Sequence, residues 1–334
     1  MADLTPPARA ELFEVPAGAD DFLARHGWAG AKVEPMAGDA SFRRYFRVSD
    51  GVHRAILMDA PPPHEDPRPF LSVAGWLTER GFAAPTVHGA APEQGLVLLE
   101  DFGDDRMREA VDAAPAGGLR HYEAAVDLLI ELAKHPAGPF APYDRTALQR
   151  EAGLLVEWYC PAVGLEVDAS SYTAAWDQVL DHTLTDEPVT VLRDYHAENL
   201  MLVGPDQRLG LLDFQDALAG HPAYDLVSLL QDARRDVEAS VEEAMLARYR
   251  STTGAADAFL RAYHVLGAQR NAKIVGIFTR LWQRDGKPRY PALCPRVWAY
   301  LERDLSQPAL RPVAEWFDAN IPPEKRGDPL VLSA

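Results

Sequence analysis

The chain has 334 residues, 47% of them hydrophobic and 25% charged, with a net charge of −17 and two cysteines. That length suits two lobes, each large enough to bury its own core, and the acidic balance excludes a nucleic-acid partner, whose phosphates demand basic surface. Cys160 and Cys294 lie too far apart in sequence for a zinc motif or disulfide framework. The start of the chain has no signal-peptide core, and no run reaches the roughly 18 apolar residues that span a bilayer, so a cytoplasmic chain with no membrane partner is expected.

Residues 36 to 105 favour strands and turns. SFRRYFRV and HRAILMDA read as two strands joined at Ser49-Asp50-Gly51, a hairpin signal. FLSVAGWLTERG follows as a helix stopping at Gly81, and GLVLLEDFGDD as an apolar strand ending in an acidic turn. From about 119 the period changes: LRHYEAAVDLLIELAKH sets Tyr122, Val126, Leu129, Ile130 and Ala133 on one helical face. A second helix is expected over 146 to 158, a strand pair over 189 to 213, and helices again from 223 to 317. The fold class is therefore α+β, a small β-rich lobe over residues 1–104 preceding a larger, mainly helical lobe over 105–334.

The stretch LRDYHAENLML, residues 192 to 202, sits between apolar runs yet carries Arg193, Asp194, His196, Glu198 and Asn199. Unpartnered burial of such groups costs a few kcal/mol each, so a polar network or a ligand must compensate. Asn199 follows Asp194 in the same turn, and Asp213 ends the next strand, where an antiparallel hairpin would return it beside that turn. The carboxylate of Asp213 and the amide oxygen of Asn199 suit a hard cation such as Mg²⁺, which completes its shell with water and phosphates. Asp194 is left to accept a hydroxyl proton, and together these make a phosphoryl-transfer constellation. The structural alternative is that all three merely form turns, as Asp and Asn often do.

The pattern D-x-H-x-x-N followed by a strand ending in Asp-aromatic, here Asp194, His196, Asn199, Asp213 and Phe214, resembles the aminoglycoside phosphotransferase and choline-kinase branch of the protein-kinase-like fold. GDASFRRYF resembles that family's nucleotide-covering hairpin, LVLLEDFG its hinge strand, and HPAYDLVSLL the helix whose Asp225 would brace the catalytic turn. With RDYHAENLM, LLDFQDAL and AQRNAKIVGIFTRL, the chain is most similar to the bacterial amino-sugar kinases of cell-wall recycling. The resemblance implies a bilobal fold, ATP and Mg²⁺ as cofactors, and phosphorylation of the anomeric hydroxyl of N-acetylmuramate or N-acetylglucosamine by a monomer. It further implies Asp194 as base, Asn199 and Asp213 as metal ligands, His196 and Asp225 as supports, and nucleotide contacts at Ser41, Arg43, Arg44, Glu100 and Phe102.

Two departures stand out. Leu192 replaces the His that usually precedes the base by two residues, and Met58 stands where a strand lysine normally meets the phosphates. Arg43 and Arg44 are the candidate replacements; strand alternation puts Arg44 with Phe42, Phe46 and Val48, a face expected to aim it into the cleft, while Arg47 reads as solvated. For the acceptor, Arg270 lies in the stripe Phe259, Tyr263, Leu266, Ile277, Leu281 and either pairs with a buried carboxylate such as Asp225 or Asp232 or, with Lys273, reaches the lactyl carboxylate. Glu157 and Tyr159 are candidate sugar contacts or core. Rival readings are a kinase for an aminoglycoside or amino alcohol, which an acidic protein suits, and a non-catalytic nucleotide-binding protein.

Overall fold

The computed structural model describes residues 14–36, 42–113, 115–184 and 186–333, with only the backbone given for residues 115–117. Two compact units result, the first comprising the chain to Ala110 together with Glu198–Asp216, the second Val111–Ala197 and Ala217–Ala334. A single boundary at Asp104 does not describe this division, because the hairpin carrying Asn199 and Asp213 joins the first unit.

In the first unit, helix α1 (Ala19–Arg25) precedes β1 (Lys32–Pro35), β2 (Arg44–Ser49) and β3 (Arg54–Asp59). Helix α2 (Arg68–Glu79), β4 (Val87–Ala91), β5 (Leu96–Glu100) and α3 (Met107–Ala113, running past the unit's end) follow. The five strands form one antiparallel sheet in the order β1-β2-β3-β5-β4. The β2–β3 turn is the expected one, the Asp50 carboxylate accepting from the backbone N–H groups of Val52 (2.8 Å) and His53 (2.7 Å). Period-two alternation gives the sheet two apolar faces. Phe46, Val48, Ala55, Leu57, Leu96 and Leu98 pack with Ala19, Phe22 and Leu23 of α1; the other face carries Tyr45, Met58 and Val97 in register. The hairpin β7 (Leu200–Val203) and β8 (Arg208–Leu211) is tied on by Leu202 N–H to the Asp105 carbonyl (2.7 Å) and Leu211 N–H to the Ala83 carbonyl (2.8 Å). Gly210 is required there: a Cβ would lie 2.7 Å from the Phe102 ring.

The second unit is mainly helical: α4 (Pro115–Leu132), α5 (Arg145–Ala152), α6 (Cys160–Ala162), α7 (Ala169–Leu180), α8 (Ala223–Leu230), α9 (Ala239–Thr253), α10 (Asp257–Gln283), α11 (Cys294–Leu305), α12 (Arg311–Asn320) and α13 (Pro329–Leu332). Its one described ladder pairs β6 (Val189–Val191) with β9 (Leu218–Gly220), so the run before the polar turn and the run after it belong to different sheets, not to one strand pair. Helix α10 is the spine, packed on α5, α8 and α11. The helix expected over 146 to 158 ends at Ala152 and becomes a π-helical turn, Leu155–Tyr159; Leu154 there touches α10 so closely that a Cβ on Gly276 would fall 2.3 Å from its carbonyl carbon. Among the described residues no helix is long and apolar enough to cross a membrane.

Candidate active site

The first unit holds a cavity of about 410 Å³, large enough for a nucleotide base and ribose. It is walled by Met36, Tyr45, Ile56, Phe70, Leu99, Met201 and Leu212 and rimmed by Glu100, Asp101, Phe102, Asn199 and Asp213. The β7–β8 hairpin brings its two ends together: Leu212 N–H donates to the Asn199 carbonyl at 3.0 Å, and Asn199 Nδ2 lies 3.4 Å from Asp213 Oδ2. Asp213 takes a positive φ of 58°, uncommon for a residue with a Cβ, and Gln215 Nε2 donates to its other oxygen at 2.9 Å. Phe214 behind it is fully buried and stacks on Phe70 of α2, centroids 5.0 Å apart. Among the described residues no group of three or more His, Cys, Asp or Glu could cage a metal. A carboxylate beside an amide oxygen nonetheless fits a cation that takes one or two protein ligands and fills its shell with water and phosphate oxygens; turning the Asn199 amide over presents that oxygen.

The positive charges near this cavity are arranged differently from the sequence expectation. Arg44 does share a face with Phe46 and Val48, but that face packs on α1, away from the cavity. Its guanidinium pairs with Asp59, directly opposite in the strand register (2.5 and 2.8 Å), and donates to the Glu14 carbonyl at 3.2 Å. The expectation that Arg44 points into the cleft is corrected for that reason: a sheet covered on both sides has two apolar faces, and alternation alone does not say which is the cleft. Arg43 lies beside Tyr45, on the cavity side. It hydrogen-bonds the tyrosine and sits 3.6 Å from Glu65; burial, then the charges of Asp213 and Glu65, hold the Tyr45 hydroxyl above its ordinary pKa against the opposing pull of Arg43. Met58 is fully buried opposite Tyr45 and Val97; α2 presents Phe70, Val73, Ala74, Trp76 and Leu77 as its buried residues, with no acidic partner for a lysine among them. Ser41 lies outside the described residues. Glu100 spends its side chain on Thr86, accepting from its N–H (3.1 Å) and hydroxyl (2.7 Å), and gives its own N–H to the Thr86 carbonyl. Arg47, expected to be solvated, instead pairs with Asp101 (2.8 Å) and Asp104 (2.9 Å), just past β5. Glu198, too, is paired, with Arg108 at 2.6 Å.

Asp194 belongs to the second unit and is held by a buried network. Asp225 of α8 accepts from the N–H groups of Leu192 (2.6 Å) and Arg193 (2.8 Å). Ser228, one turn on, donates to the Arg193 carbonyl (3.1 Å) and accepts from Arg270 (2.8 Å). Arg193 itself has φ 70°. Its side chain lies over the Tyr143 ring, 5.3 Å from the centroid, and pairs with Glu151 of α5 at 2.5 Å; Glu151 also binds Lys273 of α10 at 2.8 Å and the Tyr143 hydroxyl. Burial pushes the Asp194 carboxyl up, but the charges of Lys273, Arg270 and Arg193 outweigh it and leave the pKa below the ordinary value. Burial, with a smaller push from the charge of Asp194, raises Asp225 to about 7 against its two N–H donors and the charge of Arg270. His196 is driven by burial, with help from Arg234, down to about 3, so it is neutral and accepts from Arg234 through Nε2 at 3.1 Å.

Two of the expected substrate contacts are not available to a substrate. Arg270 is only 3% exposed and donates to the Ser228 hydroxyl behind the turn: it is buried, as the structural alternative held, but the bond shown is to a hydroxyl and not to Asp225 or Asp232. Tyr159 is 0% exposed and its hydroxyl binds the Lys325 carbonyl (2.7 Å) and the Gly327 N–H (2.8 Å). Glu157 alone of the three is exposed. Sequence reasoning missed Glu151, Ser228 and Arg47; the only local signal was for Glu151, an acidic residue inside a weakly amphipathic helix, where solvent exposure is the ordinary reading.

The sequence and the fold have counterparts among known proteins. Residues 32–263 match the family described as "Phosphotransferase enzyme family". A relative from Caulobacter vibrioides, named N-acetylmuramate/N-acetylglucosamine kinase, is 38% identical over 91% of this chain and 96% of its own length. One of the same name from Pseudomonas aeruginosa is 38% identical over 90% and 93%. Among solved structures, the microcompartment-associated aminopropanol kinase superposes with a TM-score of 0.63 at 18% identity (88% of this chain, 98% of that one). A choline/ethanolamine kinase family protein from Mesorhizobium loti gives 0.61 at 16% identity (92% and 98%). These structures share the bilobal protein-kinase-like fold, and with the family match over most of its length this chain belongs to the phosphotransferase enzyme family.

Proposed function

We propose that the enzyme transfers the γ-phosphoryl group of ATP to the anomeric hydroxyl of N-acetylmuramate or N-acetylglucosamine. What carries this reading is the 38% identity, over nine-tenths of the chain, to proteins named for that activity. The turn containing Asp194 and the Asn199–Asp213 pair supports it chemically. Asp194 would orient the sugar hydroxyl and take its proton. The ring oxygen makes an anomeric hydroxyl more acidic than a simple alcohol, so a carboxylate kept ionised by Lys273 and Arg193 suffices as base, and positioning supplies most of the rate. Asn199 and Asp213 would hold Mg²⁺, whose contribution is to neutralise phosphate charge. Arg43, on the cavity side of the sheet, would do the work of the absent strand lysine, and the backbone around Glu100 and Phe102 would meet adenine. With ATP as donor, the reaction belongs in the cytoplasm, in salvage of cell-wall amino sugars during peptidoglycan recycling.

The test is γ-labelled ATP offered with N-acetylmuramate, N-acetylglucosamine and kanamycin. An acid-labile labelled sugar is expected, because a glycosyl phosphate hydrolyses readily. Label on kanamycin alone defeats the sugar assignment, and nucleotide binding without transfer to any acceptor defeats the kinase.

A further inference from the structure

Helix α10 is buried along its whole middle, with three exceptions. Between Val265 and Leu281 only Lys273, Ile277 and Arg280 are partly exposed. Their spacing, i, i+4 and i+7, places them on one stripe. At one end, Lys273 is the leading positive charge acting on Asp194, and its side chain is 13% exposed. At the other end, about 10 Å along the axis, stands Arg280. Side chains on a helix lean toward its N-terminus, so Arg280 reaches back over Ile277 toward Lys273.

Arg280 differs from the other arginines of this unit's interior. Arg193 is paired with Glu151 and Arg270 with Ser228. Among the described residues the Arg280 guanidinium makes no hydrogen bond or ion pair, and its Nε is shut off from solvent with no acceptor. Burial and the neighbouring Arg284 hold its pKa below the ordinary guanidinium value, against the weaker opposing pull of Asp285 and Glu157. Asp285 is already taken by Arg284, at 2.7 Å. A half-buried cation without a counter-ion is unfavourable, and an anion arriving with a ligand would relieve it.

We propose that Arg280 is the specificity residue that binds the lactyl carboxylate of N-acetylmuramate. This rests on the sugar-kinase reading and deepens it. The two sugars share the anomeric hydroxyl and differ by the acidic ether at C3, two ring carbons from C1, whose lactyl arm carries its carboxylate further out. A sugar lying along the stripe with C1 at Asp194 would rest on Ile277 and direct that ether toward Arg280. The assignment replaces Arg270, which is sealed behind the catalytic turn.

The experiment measures kcat/KM for both sugars in the wild type, Arg280→Met and Arg280→Lys. A charge-assisted contact of this kind is worth roughly ten- to a hundredfold. Arg280→Met is expected to lower kcat/KM for N-acetylmuramate by about that factor and to leave N-acetylglucosamine within about twofold, with Arg280→Lys in between. The neutral sugar also reports folding, and Arg280→Lys serves if the methionine variant does not fold. An equal fall for both sugars, or no fall for either, overturns the assignment while the kinase stands. Failure of the wild type to phosphorylate either sugar overturns the kinase reading, and this assignment with it.

Discussion

Two residues with a Cβ adopt left-handed backbone at the chemistry, Arg193 at φ 70° and Asp213 at φ 58°, and they are restrained in opposite ways. Around Asp213 the restraint is local: one hairpin, a neighbouring glutamine, and Phe214 stacked beneath. Around Arg193 it is long-range: α8 grips its N–H, Ser228 its carbonyl, α5 its guanidinium. Such conformations cost of order 1–3 kcal/mol and persist only where the surroundings over-determine them. The hairpin presents Asn199 and Asp213 at the cavity rim, whereas the turn before Asp194 is built into a buried network whose charges lower the Asp194 pKa. The difference teaches that the Asn199–Asp213 pair, the proposed metal ligands, is set by one short hairpin, while Asp194, the proposed base, is held by residues from distant segments of the second unit.

The largest expected effects separate the two ends of the mechanism. Asp194→Asn should reduce kcat by about 10²–10⁴-fold with ATP affinity little changed, and raising Mg²⁺ should not rescue it. Asp213→Asn should lose activity of similar order but recover part of it at high Mg²⁺ or Mn²⁺, seen as a raised half-saturating metal concentration. Equal metal dependence in both variants breaks the distinction.

Next comes the buried carboxylate. Asp225 has its folded pKa raised to about 7, against about 3.9 unfolded. The folded state therefore holds the proton more tightly. The associated stability is fully present below about pH 4 and is lost as pH rises through 7, at no more than about 1.4 kcal/mol per pH unit. His196 has the opposite sense: depressed to about 3, it contributes stability present above about 6.5 and lost as pH falls. Asp225→Asn should unfold more easily at every pH, since its amide serves the two N–H donors poorly. The gap to wild type should narrow from pH 5 to pH 8 in denaturant titrations, and a constant gap refutes the raised pKa. Arg193→Gly is a smaller change: glycine relieves the left-handed strain, so unfolding stability should shift by only about 1 kcal/mol, while kcat falls because Glu151 keeps only Lys273 as a cationic partner and Asp194 loses one of the charges that hold it ionised.

The β-rich and helical regions, the β2–β3 hairpin and the meeting of Asn199 with Asp213 were legible because each depends on neighbours in sequence: alternation, Asx turns, a short hairpin. Glu151 and Ser228 were not legible, because nothing near them in sequence says that they meet Arg193. Tyr159 and Arg270 misled for the same reason, a residue type suited to sugar binding being equally suited to a buried hydroxyl or guanidinium with a partner on a distant segment. Helix length over 146 to 158 failed at Gly153 and Leu154, where the approach of α10 at Gly276 overrode local periodicity.

The smallest expected effect is also the sharpest on the missing lysine. Met58 and the buried face of α2 are apolar together, so Met58 leaves no orphaned carboxylate there, and on the proposed kinase reading the positive charge for the phosphates enters from elsewhere. Arg43 stands on the cavity side beside Tyr45, and Arg44 one residue on faces α1 and Asp59. Arg43→Met should raise KM for ATP by about tenfold, the value of one charge-assisted phosphate contact. Arg44→Met should leave KM for ATP within about twofold but lower stability by about 1–3 kcal/mol, because it strands the buried Asp59, whose pKa burial has already raised against the pull of Arg44. Steady-state kinetics and urea titration on the two variants check both halves. Two adjacent arginines then report opposite faces of one strand, and a KM effect from Arg44 rather than Arg43 would mean that the phosphates approach from the α1 side.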